Sequence, residues 1–165
     1  MRLRESAAVR LEPLMQAVGF TLWQLQELEN TTSSYVAVRV REAKGIGIER
    51  GQALSAEVEK LPLGKLLAEL TKAKVIGTEL SSELREVLEE RNWLVHRARR
   101  ETRGVLSDEA LFSEVMTRLD HLAEHSLQLT KRLGNEVEEY VVRSGVSRDF
   151  ISGEAERLAR AWGFE

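Results

Sequence analysis

Residues 91–96, Arg91-Asn92-Trp93-Leu94-Val95-His96, put a guanidinium, a small amide and an imidazole within about two turns of a predicted helix. Arg97, Arg99, Arg100 and Arg103 follow at once. The whole chain carries a net charge of −3, yet residues 91–103 hold five Arg against a single acid, Glu101. A cation field attracts an anion, and His moves protons near neutral pH, so the pattern points to a phosphate site. Metal-free cleavage of RNA has matching needs: a base for the attacking 2′-hydroxyl, a donor for the leaving 5′-oxygen, and cations for charge developing on phosphate. One Arg and one His cannot fill all of these roles, whereas two copies facing each other across a two-fold axis can.

Helical geometry sorts these residues by face. With Arg91 as zero and about 100° per residue, Leu84, Val87, Leu88, Val95 and Ala98 fall within about 60° of it. Arg91 is therefore expected in the middle of the apolar stripe, where a guanidinium must be paired or hydrogen-bonded. Asn92, His96, Arg99 and Arg103 cluster on a second face about 80–140° away. Trp93, at about 200°, is free either to stack on a base or to line a subunit interface, with the interface favoured. The alternative without chemistry has Arg91 paired with a core carboxylate, His96 as an ordinary interface residue and the Arg run as a solvated helix end.

The elements that must position this face read as helices. Pro13 should break the first amphipathic segment or start a helix, and Gly19 permits a turn. Leu22, Leu25, Leu28, Tyr35 and Val38 then recur at helical spacing. Thr31-Thr32-Ser33-Ser34 and the Val-rich stretch after it weaken that helix, with a strand as the minor alternative. Residues 43–47 read as a loop. A helix is expected from about Gln52 to before Pro62 and another from Leu63 to about Lys72. The motif helix should start at a Thr78 N-cap and close at Gly104. Ser107-Asp108-Glu109 supplies a cap and first-turn acids for a long helix. The seam of that helix, Leu119, Leu122, Ser126, Leu129 and Leu133, alternates steps of three and four. Gly134 and the box-like Asn135-Glu136-Val137-Glu138 predict a kink or restart. A last amphipathic piece over 153–162 ends in Trp162 and Phe164. These pieces assemble into an all-α bundle.

Length and composition agree. At 165 residues the chain is one domain, or one domain with an appended helix, and 42% apolar residues suffice for a sizeable core. It contains no Cys, so disulfide and thiolate chemistry are excluded. No apolar run is long enough to cross a bilayer, and Met1-Arg2-Leu3-Arg4-Glu5 lacks a secretion signal's apolar core, so a cytoplasmic protein without membrane contact is expected.

At Arg91-Asn92-Trp93-Leu94-Val95-His96-Arg97 the chain resembles the HEPN superfamily (higher eukaryotes and prokaryotes nucleotide-binding). It is similar in particular to bacterial members that share the Arg-Asn, then Leu-Val-His-Arg, signature. The resemblance spans roughly residues 20–132, taking in Phe20–Glu29 and Leu63-Gly64-Lys65-Leu66-Leu67. It implies a HEPN-like helical bundle over 20–133, preceded by a helical segment over 1–19 and followed by a C-terminal helical extension over 134–165. It further implies a homodimer and a metal-independent endoribonuclease that needs no cofactor. Arg91 would be the phosphate ligand, Asn92 its polar partner and His96 the acid/base group, with Arg97, Arg99, Arg100 and Arg103 contacting RNA. An antitoxin or nucleotidyltransferase partner, in a toxin–antitoxin or defence setting, belongs to the same expectation. Other members of the superfamily are non-catalytic binding modules, and that alternative treats Arg91 and His96 as structural.

Other constellations are weaker. His121-Leu122-Ala123-Glu124-His125 matches an inverted zinc-protease string, but only 40 residues remain downstream to supply the third ligand. No His has a Glu three residues before it, which disposes of a di-iron bundle. Gly45-Ile46-Gly47 lacks the rest of a nucleotide loop. Nine aromatics are too few for a base-stacking platform.

Overall fold

The computed structural model describes residues 2–42 and 45–163, and every regular element among them is a helix. In chain order these are α1 (Arg2–Arg39), α2 (Ile48–Val58), α3 (Leu63–Ala73), α4 (Thr78–His96), α5 (Ala98–Glu101), α6 (Glu109–Arg143) and α7 (Arg148–Ala161). No helix among the described residues is long and apolar enough to cross a membrane.

The long helices α1 and α6 form the backbone of the bundle and run in the same direction. Arg10 donates to the Leu106 carbonyl just before α6, Thr21 Oγ1 to the Leu119 carbonyl, and the Tyr35 hydroxyl to Glu136. The expected 119–133 seam supplies the α6 side: Leu119, Leu122, Ser126, Leu129 and Leu133 are all buried. Leu122, Leu129 and Leu133 lie in one core with Leu25, Leu28, Tyr35 and Val36, and Leu119 in a second beside Val115. Parallel neighbours need a return path, and α4 provides it, running antiparallel to both. Its start reaches the end of α6 through Glu79 and Glu83 to Arg132, and its end meets Arg118 through Glu90. Leu80, Leu84 and Val87 complete the core.

Several expected breaks are absent. Helix α1 continues through Pro13, which lies on the exposed side, where a carbonyl left without its amide partner can be hydrated. It also continues through Gly19 and through the polar run that suggested a strand. There Thr32, Ser33 and Ser34 donate to the carbonyls of Leu28, Glu29 and Asn30, so their hydroxyls are satisfied inside the helix. Helix α6 likewise runs through Gly134 without restarting, so the boundaries expected at 19/20 and 133/134 both fall inside continuous helices. Helix α2 begins at Ile48, ahead of Gln52, and the N-cap of α4 is Gly77 in place of Thr78. The Asp108 cap of α6 is as expected, accepting from the Leu111 amide. In the 43–47 loop, Ala43 and Lys44 lie outside the described residues, while Gly45 and Gly47 have φ of 77° and 84°, angles that favour glycine. Phe164 also lies outside the described residues.

Tyr35 pins the far end of the bundle. Its ring is buried and its hydroxyl donates to Glu136 Oε2 at 2.7 Å; burial, reinforced by that carboxylate, pushes its pKa up to about 12. A folded-state value above the ordinary 10.0 means that the neutral phenol stabilises the fold fully below about pH 10. This contribution is then lost as pH rises toward 12. Urea melts of wild type and Tyr35→Phe should therefore show a stability gap at pH 9 that shrinks by pH 12. A gap constant over that range would contradict the linkage.

Candidate functional site

The motif lies at the end of α4, and the structure divides its members. Arg91 points toward α1, as its place on the stripe requires, and its Nε donates to Glu29 Oε1 at 3.1 Å; both side chains are 29% exposed. This is the paired carboxylate that a half-buried guanidinium needs. His96 is the last residue of α4, is exposed, and makes no side-chain hydrogen bond or ion pair among the described residues. Asn92 is partly exposed. Within one chain Arg91 and His96 are five residues and about 140° apart on the helix, so they do not converge on a single point.

The helix does not run to Gly104. It breaks at Arg97, where φ is −123°, and resumes for one turn as α5. Arg97, Arg99, Arg100 and Arg103 are all exposed around this break. Arg100 lies 4.0 Å from Glu101, whereas Arg97, Arg99 and Arg103 have no carboxylate in ion-pair range among the described residues. Elsewhere the arginines Arg10, Arg41, Arg118, Arg132, Arg143, Arg148, Arg157 and Arg160 each hold an acid. Arg39, Arg50, Arg85 and several lysines likewise have no acid in range among the described residues, but they are scattered along the chain, whereas Arg97, Arg99 and Arg103 fall within seven residues of one another next to His96.

Trp93 corrects the expectation of a base platform or subunit contact. It is 2% exposed, packed with Val105, Val115 and Leu119. Its Nε1–H donates to Glu101 Oε2 at 2.9 Å, and the Arg118 guanidinium lies 3.5 Å from the ring centroid. Arg118 is itself held by two bonds to Glu90, and the bond to Glu90 raises its pKa above the ordinary arginine value. The indole therefore ties α4, α5 and α6 together at the helix break and fixes where the Arg-bearing turn sits. With Trp93 and Leu94 turned inward over the last turn of α4, Val95 is rotated outward and is 48% exposed, against its expected place on the buried stripe.

Sequence reasoning missed this network. Trp93 and Glu101 are eight residues apart across a break that no Gly or Pro announces, and Glu90 and Arg118 sit on different helices. The only signal was the bulk of the indole itself, the largest apolar side chain in the segment. His121 and His125 meet edge to face, with ring centroids 5.9 Å apart, and His125 lies 3.7 Å from Glu83. Among the described residues no group of three or more His, Asp or Glu is arranged to hold a metal ion. Compared with family models, curated proteins and solved structures, the chain matches none of them.

Proposed function

We propose that the protein is a cytoplasmic, HEPN-like endoribonuclease that cleaves RNA without a metal at a cleft between two copies of the chain. The observation that carries this reading is an unengaged, exposed His96 at the end of α4 beside Arg97, Arg99 and Arg103, none of which holds an acid among the described residues. His96 of one subunit takes the proton of the 2′-hydroxyl as it attacks phosphorus, and His96 of the other protonates the departing 5′-oxygen. The free arginines draw the phosphate in and stabilise the charge that develops on it. Arg91 keeps its terminal nitrogens available while Nε is held by Glu29, and Asn92 offers an amide on the His96 side. Val95 on α4 and Phe20 and Trp23 on α1 are exposed apolar residues that a second copy would cover. An antitoxin or nucleotidyltransferase partner belongs to the same proposal.

A second reading is favoured by the Arg91–Glu29 pair, which joins α4 to α1 and gives Arg91 a structural task. On that reading the protein is a non-catalytic binding module.

Binding to a single-stranded RNA over a range of salt, in EDTA, tests the proposal. Each phosphate contact lowers the slope of log K against log salt by about 0.7. Arg99→Ala/Arg103→Ala should therefore reduce the magnitude of the slope by about 1.4. An unchanged slope would remove these two arginines from the RNA surface.

A further inference from the structure

A cleft of about 420 Å³ opens between the N-terminal half of α1 and the turn that follows α4. Leu14 and Val18 of α1 and Val115 and Leu119 of α6 line it, and Arg99 and Arg103 stand among its lining residues from the helix-break segment. The volume lies in the roughly 300–1,000 Å³ range of small-ligand sites. Its polar groups are unusually one-sided. Among the described residues no acidic side chain lines it, and the Thr102 hydroxyl is already donated to the Ala98 carbonyl at 2.8 Å. The groups left to meet a ligand are therefore hydrocarbon and two guanidiniums that hold no acid among the described residues.

That combination selects a ligand class. A neutral polar molecule would find donors in the two guanidiniums but no acceptor for its own N–H or O–H groups, and a cation would be repelled by the arginines. A nucleobase could take guanidinium donors on its acceptor edge but would find no side-chain acceptor for its own N–H groups. A single hydrocarbon chain ending in a carboxylate satisfies both sectors, because guanidinium forms charge-assisted bonds to carboxylate while the chain displaces water from the aliphatic walls. We propose that this cleft binds a fatty acid, its chain against Leu14, Val18, Val115 and Leu119 and its carboxylate on Arg99 and Arg103.

The indole of Trp93 also lines the cleft and provides a reporter. The chain has three Trp, and the other two, Trp23 and Trp162, are exposed, so Trp23→Phe/Trp162→Phe leaves Trp93 alone. Titrating that protein with laurate below its micellar concentration should give a saturable fluorescence change, with one laurate per chain by calorimetry. Arg99→Ala/Arg103→Ala should weaken binding at least about tenfold, the scale of losing charge-assisted bonds. Dodecyltrimethylammonium, with the same tail and the opposite charge, should not saturate the site. Absence of saturable laurate binding, equal binding of the two amphiphiles, or indifference to loss of the arginines would overturn the proposal. So would laurate that splits a dimer in place of binding it, since the cleft would then be a subunit contact. His96→Ala should bind laurate like its parent, so failure of the ribonuclease reading and failure of this one are separately visible.

Discussion

Trp93→Ala is expected to lower stability by about 3–5 kcal/mol, the usual range for removing a buried aromatic side chain. For a chain of this size that corresponds to a fall in melting temperature of roughly 6–20 °C. The loss has three parts: the packing with Val105, Val115 and Leu119, the Nε1–Glu101 bond, and the face on which Arg118 rests. Trp93→Phe separates them. It keeps a ring for packing and for the guanidinium but leaves Glu101 without its donor, at a cost of about 1 kcal/mol. Released from the indole, Glu101 is free to turn toward the neighbouring arginines, so this variant should also weaken RNA binding. A Trp93→Ala protein that melts within about 2 °C of wild type would mean that the indole does not hold the helix break together.

His96→Ala should behave in the opposite way. The side chain is exposed and engages no partner among the described residues, so stability should stay within about 0.5 kcal/mol of wild type. Cleavage should fall by about 10²–10⁴-fold, the usual contribution of general acid–base catalysis. On the proposed mechanism one His is the base and its counterpart the acid, so mixed dimers with a single intact His96 should be as impaired as the double mutant to within about tenfold. A variant that loses stability and leaves no activity to measure would support the binding-module reading. The structure treats the two differently: Arg91 pairs with Glu29 between α4 and α1, while His96 is exposed and unengaged among the described residues.

The sequence made legible those parts of the molecule whose signals are local. The 119–133 seam and the Asp108 cap of α6 are strings of neighbours in the chain, and both take their expected places. The concentration of arginine after His96 is plain in the sequence as charge density, but the break at Arg97 takes Arg99 and Arg103 off the continuous helical face on which they were expected. Features decided by a distant partner were hidden. Pro13, Gly19 and Gly134 read as breaks, yet α1 and α6 pack along so much of their length that local preference is overridden. Glu29 gave no sign of being the partner of Arg91, 62 residues away. Trp93 projects about 200° from Arg91, away from the stripe that a helical wheel places against the core. It is buried because α5, the following turn and the first part of α6 close over that other side, an arrangement with no periodic trace in α4 itself.

The most direct test is the chemistry of the ends. Purified wild-type protein should cleave a mixture of structured and single-stranded RNAs in EDTA, leaving 2′,3′-cyclic phosphate on the upstream fragment, as attack by the neighbouring 2′-hydroxyl requires. The same preparation carrying His96→Ala should leave the RNA intact. Cleavage that stops on adding EDTA, or that yields 5′-phosphate and 3′-hydroxyl ends, would contradict the proposed mechanism. A folded dimer that cleaves none of these RNAs would count against the enzyme and for the binding module.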